Sequence, residues 1–378
     1  MYKKIKSQFS VKQIILISAI GLLNSFFYNN FAIMGSLVIV EIGLLLYFFI
    51  KGRDVDYLNW YIAFLSLSLE HAEFVGTEYF YGFKNFRLFG INLAFWMIIP
   101  LFVRQWKHGK YSTNGLPKQL HKFVTQTVII VLIAIVTGLL TYVFNDNQLA
   151  GRAGSLQRFV SSSYIYVFVS IEIMSISSVL CRNKNKIWKV SSFLSNYIVA
   201  VAIVSLMCIA LGNYGTYGGV DTLQLSNVYF LLLGSVLITL YDNYKGFDQV
   251  IILISSLIVA VSILLFNTNG KIIFILATLP LIAIFILAKK GVSLKGVIIS
   301  ITIVIVSMVA ANFIISRMIS NSFLFGIKYH QFISMVSFWD SNWFVNMQGS
   351  PKARISEFLN IGYEFINKPW YFPFGKGF

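Results

Sequence analysis

The chain of 378 residues is 57% hydrophobic and only 12% charged, with a mean hydropathy of +0.75. Soluble domains carry about a quarter charged residues, so this composition excludes an ordinary soluble globule. The net charge of +16 would suggest nucleic acid in a soluble protein. In a lipid-dissolved chain, positive loops set the orientation instead, and no nucleic-acid partner is expected.

Apolar runs of membrane-spanning length recur along the chain. Eleven spans are predicted, over residues 11–27, 31–50, 58–75, 88–103, 123–144, 159–181, 190–211, 223–240, 250–266, 272–288 and 297–315. The start, MYKKIKSQFS followed by an apolar run, imitates a signal peptide, but no small-residue cleavage site follows. It reads as the first span. Pro100 and Pro280 lie inside spans, where proline kinks a helix, either beside a cavity or for packing. Cys181 and Cys208 fall in or at the end of apolar runs, without metal-ligand company or a disulfide framework. No internal repeat is evident, so an inverted-repeat transporter gains no support.

Lysine and arginine orient the spans. With the N-terminus cytoplasmic, the inner segments together with Lys12 at the start of the first span hold nineteen Lys and Arg, and the short outer loops hold five: Lys84, Arg87, Arg152, Arg158 and Lys271. That bias places the N-terminus inside and residues 316–378 outside. The expected architecture is an all-α polytopic membrane protein: a bundle of about eleven helices over 1–315, then a large extracytoplasmic helical loop over 316–378.

Cations left outside against the bias ask for an explanation. Arg152 and Arg158 belong to NDNQLAGRAGSLQR, and Lys271 opens the tenth span. With Arg354 they suit a pyrophosphate at the membrane boundary, because the guanidinium fork holds phosphate oxygens bidentately. Snorkelling of interfacial side chains explains the same residues. Near the outer end of the third span, Glu70 and Glu73 share a helix face around His71. They suit an acceptor hydroxyl, a pairing with an outer arginine, or a plain interfacial role. Glu172, deeper in its span, is expected to face the bundle in an internal pair.

The outer loop carries three of the six prolines and the tryptophans Trp339, Trp343 and Trp370. One helix is predicted over about 322–339, where Phe325, Tyr329, Phe332, Val336 and Trp339 form an apolar stripe. A second starts at Ser350, an N-cap residue, with Pro351 at its first helical position. It ends near Asn367, because Pro369 restricts Lys368. Ile355, Phe358, Leu359, Gly362, Phe365 and Ile366 make its expected buried face, and Arg354 and Glu357 stand one turn apart on the other. The aromatic and proline turn that follows leads to Gly375 and Gly377, whose backbone N–H groups are able to turn toward an anion.

RISEFLNIGYEFINKPWYFPFGKGF, with its arginine-bearing helix, proline break and G-x-G turn, resembles the outer-loop motif of the O-antigen ligase and Wzy-type polysaccharide polymerase superfamily. The topology of many spans and one large outer loop is similar too, a GT-C-like architecture. NTNGKIIFILATLPL resembles the segment where family members open a span with a basic motif, here Lys271. The outer loop NYGTYGGVDTLQLSN resembles a glycine- and asparagine-bearing loop, matching Asn227. Family members usually continue with further helices, so the chain is expected to be cut off before them.

The resemblance implies an enzyme of the bacterial cytoplasmic (inner) membrane that polymerises a surface polysaccharide: O-antigen, capsule or exopolysaccharide. A polyprenyl-pyrophosphate-linked oligosaccharide is the donor and a lipid-linked repeat the acceptor. No nucleotide sugar, metal or other cofactor is implied; membrane lipids, a chain-length regulator and a flippase are the expected company. Arg354, Arg152, Arg158 and Lys271, with the Gly375 and Gly377 turn, are the expected pyrophosphate holders. Glu357 or His330 is the expected base, Glu357 having the alternative task of orienting Arg354. Trp339, Trp343, Trp370 and Tyr371 suit either sugar stacking or membrane anchoring. A ligase moving the glycan to another acceptor, and a flippase or transporter, are the alternatives, with a membrane sensor or scaffold further off.

Overall fold

The computed structural model describes residues 9–27, 30–68, 83, 86–88, 91–107, 118–144, 156–180, 184–213, 215–217, 220–222, 247–265, 342–346 and 350–367. Those residues are overwhelmingly helical: α1 (Val11–Phe26), α2 (Phe31–Ile50), α3 (Asp54–Leu67), α4 (Leu93–Lys107), α5 (Lys118–Phe144), α6 (Leu156–Leu180), α7 (Lys184–Ala210), α8 (Phe247–Leu265), the single turn α9 (Trp343–Asn346) and α10 (Ser350–Asn367). A helix lies at eight of the eleven predicted spans. The spans at 223–240, 272–288 and 297–315, and the helix at 322–339, lie outside the described residues.

Two short antiparallel ladders stand beside the helices. β1 (Arg87–Leu88) pairs with β2 (Ile91–Asn92), and β3 (Gly215–Tyr217) pairs with β4 (Val220–Thr222). The first corrects the fourth span, whose opening residues form the hairpin; its helix starts at Leu93 and runs on to Lys107. Hydropathy alone cannot separate an apolar strand from the helix behind it. The helix at the third span starts four residues earlier than expected. α3 starts at Asp54, because acidic residues in a first turn suit the helix dipole even though they look unlike membrane sequence.

The helix ends have local causes. Ser10 caps α1, its side chain accepting from the Gln13 N–H. α2 closes at Gly52 (φ 66°), where the Arg53 N–H donates to Phe48 O (2.9 Å) and the Gly52 N–H to Phe49 O (3.0 Å). α7 repeats the device at Gly212 (φ 63°), with Asn213 N–H on Cys208 O (2.8 Å) and Gly212 N–H on Ile209 O (3.2 Å). Both are Schellman closures, which need a left-handed residue that glycine adopts without strain.

The chain divides into two compact units. One gathers Met1–Asn30, Ser66–Tyr79 and Ser191–Ser356; the other gathers Phe31–Leu65, Phe80–Val190 and Glu357–Phe378. In the first unit, α1 packs on α7 through small and polar residues. The Ser10 N–H donates to Asn196 Oδ1 (3.1 Å), Asn196 Nδ2 to Gln13 Oε1 (2.8 Å), Ser18 Oγ to Ala200 O (3.5 Å) and Asn213 Nδ2 to Ser25 O (2.9 Å). Numbers rise together along both helices, so they run parallel. At Gly21 the helices come close: a Cβ there would stand 2.9 Å from Val204 Cγ2. The buried face of α1 is thus Ile17, Ser18, Ile20, Gly21, Asn24 and Ser25, while Val11, Ile15 and Leu16 are exposed.

In the second unit, α3 packs antiparallel on α4. The Tyr57 hydroxyl donates to Met97 O, Tyr61 Oη to Ala94 O (3.2 Å), and Asp54 meets Arg104. Phe83 fills the angle between Tyr61 and Phe64, with ring centroids 5.9 and 5.8 Å away. Phe95 of α4 meets Tyr164 and Phe168 of α6 edge-on.

Among the described residues, two helices are long and apolar enough to cross a membrane, Phe31–Ile50 and Trp188–Ala210. Large apolar side chains face outward on several helices, including Ile39, Val40 and Ile50 of α2 and Ile130, Leu132 and Val136 of α5.

Candidate functional site

The expected catalytic pair lies on α10. Its helix runs from Ser350 to Asn367, with Pro351 in the first turn, where its missing N–H costs nothing. Arg354 and Glu357 stand one turn apart in its first half, as their spacing predicts. Just ahead, α9 is tied to this helix by Lys352, whose Nζ donates to Val345 O (3.1 Å) and lies 5.9 Å from the Phe344 ring centroid. The expected buried face is corrected: Leu359 and Ile366 are 54% and 76% exposed. A periodic pattern shows which residues share a face, and tertiary contacts decide whether that face is covered.

Arg158 opens α6 as its third residue. Arg152, Lys271, Gly375, Gly377, Glu70, Asn227, His330, Trp339 and Trp370 lie outside the described residues, as do the side chains of Arg158, Arg354 and Glu357. The expected convergence of Arg152, Arg158, Lys271 and Arg354 therefore falls outside what the structure describes.

The described side chains place polar chemistry elsewhere. Arg104 Nη1 donates to Asp54 Oδ1 (2.8 Å) and Gln105 Nε2 to Asp54 Oδ2 (2.7 Å). Arg104 Nη2 also donates to Phe49 O, and the guanidinium lies 3.6 Å from the Phe49 ring centroid. One planar cation thus holds an α3 carboxylate, a carbonyl at the end of α2 and an aromatic face together. Nearby, Arg53 Nε donates to Asp56 Oδ2 (2.7 Å), and that carboxylate raises the guanidinium's proton affinity further.

The Glu172 carboxyl of α6 interacts with the Tyr61 hydroxyl of α3, in line with the internal partner expected for it. Two further buried polar groups lie in α1 and α2. Glu41, in the middle of α2, is 1% exposed, and Asn24 of α1 is fully buried; among the described residues neither side chain has a hydrogen-bond partner. A single acid in an otherwise uninterrupted apolar run barely changes mean hydropathy, but a charge at mid-span is expected to face protein rather than lipid, the same signal that marks Glu172. Among the described residues no group of three or more His, Cys, Asp or Glu is placed to hold a metal ion.

Comparison with protein-family models, with curated proteins and with solved structures gives no match for this chain.

Proposed function

We propose that the chain is a multi-pass protein of the bacterial cytoplasmic membrane, with its N-terminus inside. In this reading it extends a surface polysaccharide at the outer face, transferring a polyprenyl-pyrophosphate-linked glycan onto a lipid-linked repeat unit. The observation that carries the transferase reading is α10: a continuous helix, Ser350–Asn367, with Arg354 and Glu357 one turn apart and Pro369, Gly375 and Gly377 following in sequence.

The membrane reading has three supports. Large apolar side chains face outward on α1, α2 and α5, where in water each would cost about 25 cal/mol per Å². α1 buries small and polar residues against α7, the pattern of helices packed in lipid. Chain directions also fit a serial crossing. α1 and α7, the first and seventh spans, run parallel, and α3 and α4, the third and fourth, run antiparallel.

In the proposed reaction the acceptor hydroxyl attacks the anomeric carbon of the donor. The glycosyl–pyrophosphate bond breaks, and the polyprenyl pyrophosphate departs with the electron pair. Arg354, helped by Arg152, Arg158 and Lys271, offsets the charge that grows on the pyrophosphate. Glu357 or His330 takes the hydroxyl proton.

The test is complementation of a strain lacking the gene, read as glycan length on a gel. Arg354→Ala is expected to leave single repeats on the lipid at the outer face, while protein level in the membrane stays normal. Full-length polymer from that variant would overturn the catalytic assignment. Polymer of normal length that fails to reach its final acceptor would favour the ligase, and repeats stranded on the inner face would favour the flippase.

A further inference from the structure

The geometry points to a binding site for an anionic phospholipid at the inner end of α4. Pro100 lies inside that helix, and beside it lies a groove of about 420 Å³ lined by Phe49, Ile99, Pro100, Val103, Arg104 and Lys107. The α4 residues recur at helical spacing, so they form one face of the helix. That face changes character along its length. Ile99, Pro100 and Val103 are apolar; Arg104 and Lys107 follow at the end that the Lys and Arg bias places in the cytoplasm. Trp106, 63% exposed beside them, is the side chain expected at a headgroup boundary.

The charges select the headgroup. Arg104 is offset by Asp54 at 2.8 Å, and Arg53 by Asp56 at 2.7 Å. Both carboxylates at this end are therefore engaged by arginine, while Lys107 is exposed at the rim with no ion pair among the described residues. A site with an apolar trough and an uncompensated cation at its mouth fits an acyl chain joined to a phosphate. A zwitterionic headgroup would gain less there, and a free anion would leave the trough empty. This site rests on the membrane-spanning part of the proposed function and is independent of the glycosyl transfer.

The experiment uses the full chain, purified in detergent and exposed to equal amounts of phosphatidylglycerol and phosphatidylcholine, with retained lipid counted by native mass spectrometry. Phosphatidylglycerol is expected to be retained in preference. Lys107→Ala is expected to weaken that preference about fivefold, the worth of one surface cation near an anionic lipid, and Lys107→Arg to keep it. Val103→Trp, which fills the trough, is expected to lower phosphatidylglycerol occupancy. Thermal unfolding in detergent confirms that each variant is folded. Equal retention of the two lipids, or a preference untouched by both Lys107→Ala and Val103→Trp, overturns the site. Competition by glycerol phosphate at the same concentration also overturns it, since the trough would then contribute nothing. Release of the chain from membranes by alkaline carbonate would instead overturn the membrane reading, so the two failures are distinguishable.

Discussion

Arg104 and Arg53 lie in the same stretch of structure, and their contexts give them different worth. Arg104 is 17% exposed and holds Asp54, itself 11% exposed, together with the Phe49 carbonyl. Arg104→Ala removes the cation from a largely buried carboxylate, so a loss of about 3 kcal/mol is expected. Arg104→Lys restores little of it, because an ammonium cannot bond carboxylate and carbonyl while lying flat on Phe49. Arg53, 51% exposed in its pair with Asp56, is a surface ion pair, and Arg53→Ala is expected to cost about 0.5 kcal/mol or less. Unfolding in detergent measures both losses, and a double-mutant cycle through Asp54→Asn isolates the Arg104 pair. Gly21 gives the complementary steric case. Gly21→Ala puts a methyl 2.9 Å from Val204 Cγ2, an overpacking expected to cost about 1–3 kcal/mol. Adding Val204→Ala is expected to recover part of that loss.

At the scale of elements, the pairing of α1 with α7 is the most direct check on the fold. Ser18 Oγ reaches the Ala200 carbonyl at 3.5 Å, so cysteines at those two positions are expected to cross-link under mild oxidation, with Cys181 and Cys208 replaced by serine. Cysteines at Ser18 and Leu211 are expected not to, since parallel helices put them at different levels. Cross-linking of the second pair in preference to the first would contradict the parallel arrangement. α10 shows how much of an element is readable in advance. Its bounds, Ser350 to Asn367, are those expected from a serine and proline at the start and from Pro369 in the sequence just beyond the end. The exposure of Leu359 and Ile366 was not readable, since it depends on neighbours distant in sequence. The start of α3 was missed for a related reason: apolar averaging discounts Asp54 and Asp56, which a helix N-terminus favours.

For the whole molecule, the charge bias of the loops yields a topology that labelling tests directly. In intact cells, a cysteine placed at Asn145 is expected to react with a membrane-impermeant maleimide. One placed at Asn114 is expected to react only after permeabilisation. The reverse pattern would invert the orientation and put residues 316–378 on the cytoplasmic side. It would also remove the proposed outer-face chemistry and the inner-leaflet lipid site together.

What the sequence by itself determined was local or cumulative. Helix positions follow from runs of apolar residues, α10's ends from proline and serine, and the expected orientation from summed loop charge, because each depends on residues near one another or on a simple count. Only tertiary structure decided which helices meet and what their contacts are made of. The clasp of Arg104 on Asp54 joins residues 50 apart, and Asn196 meets Gln13 across 183. It also decided that Glu41 is buried with no partner among the described residues while Leu359 and Ile366 are exposed. Helical periodicity specifies a face; what that face touches depends on how distant segments pack, and no local pattern carries that information.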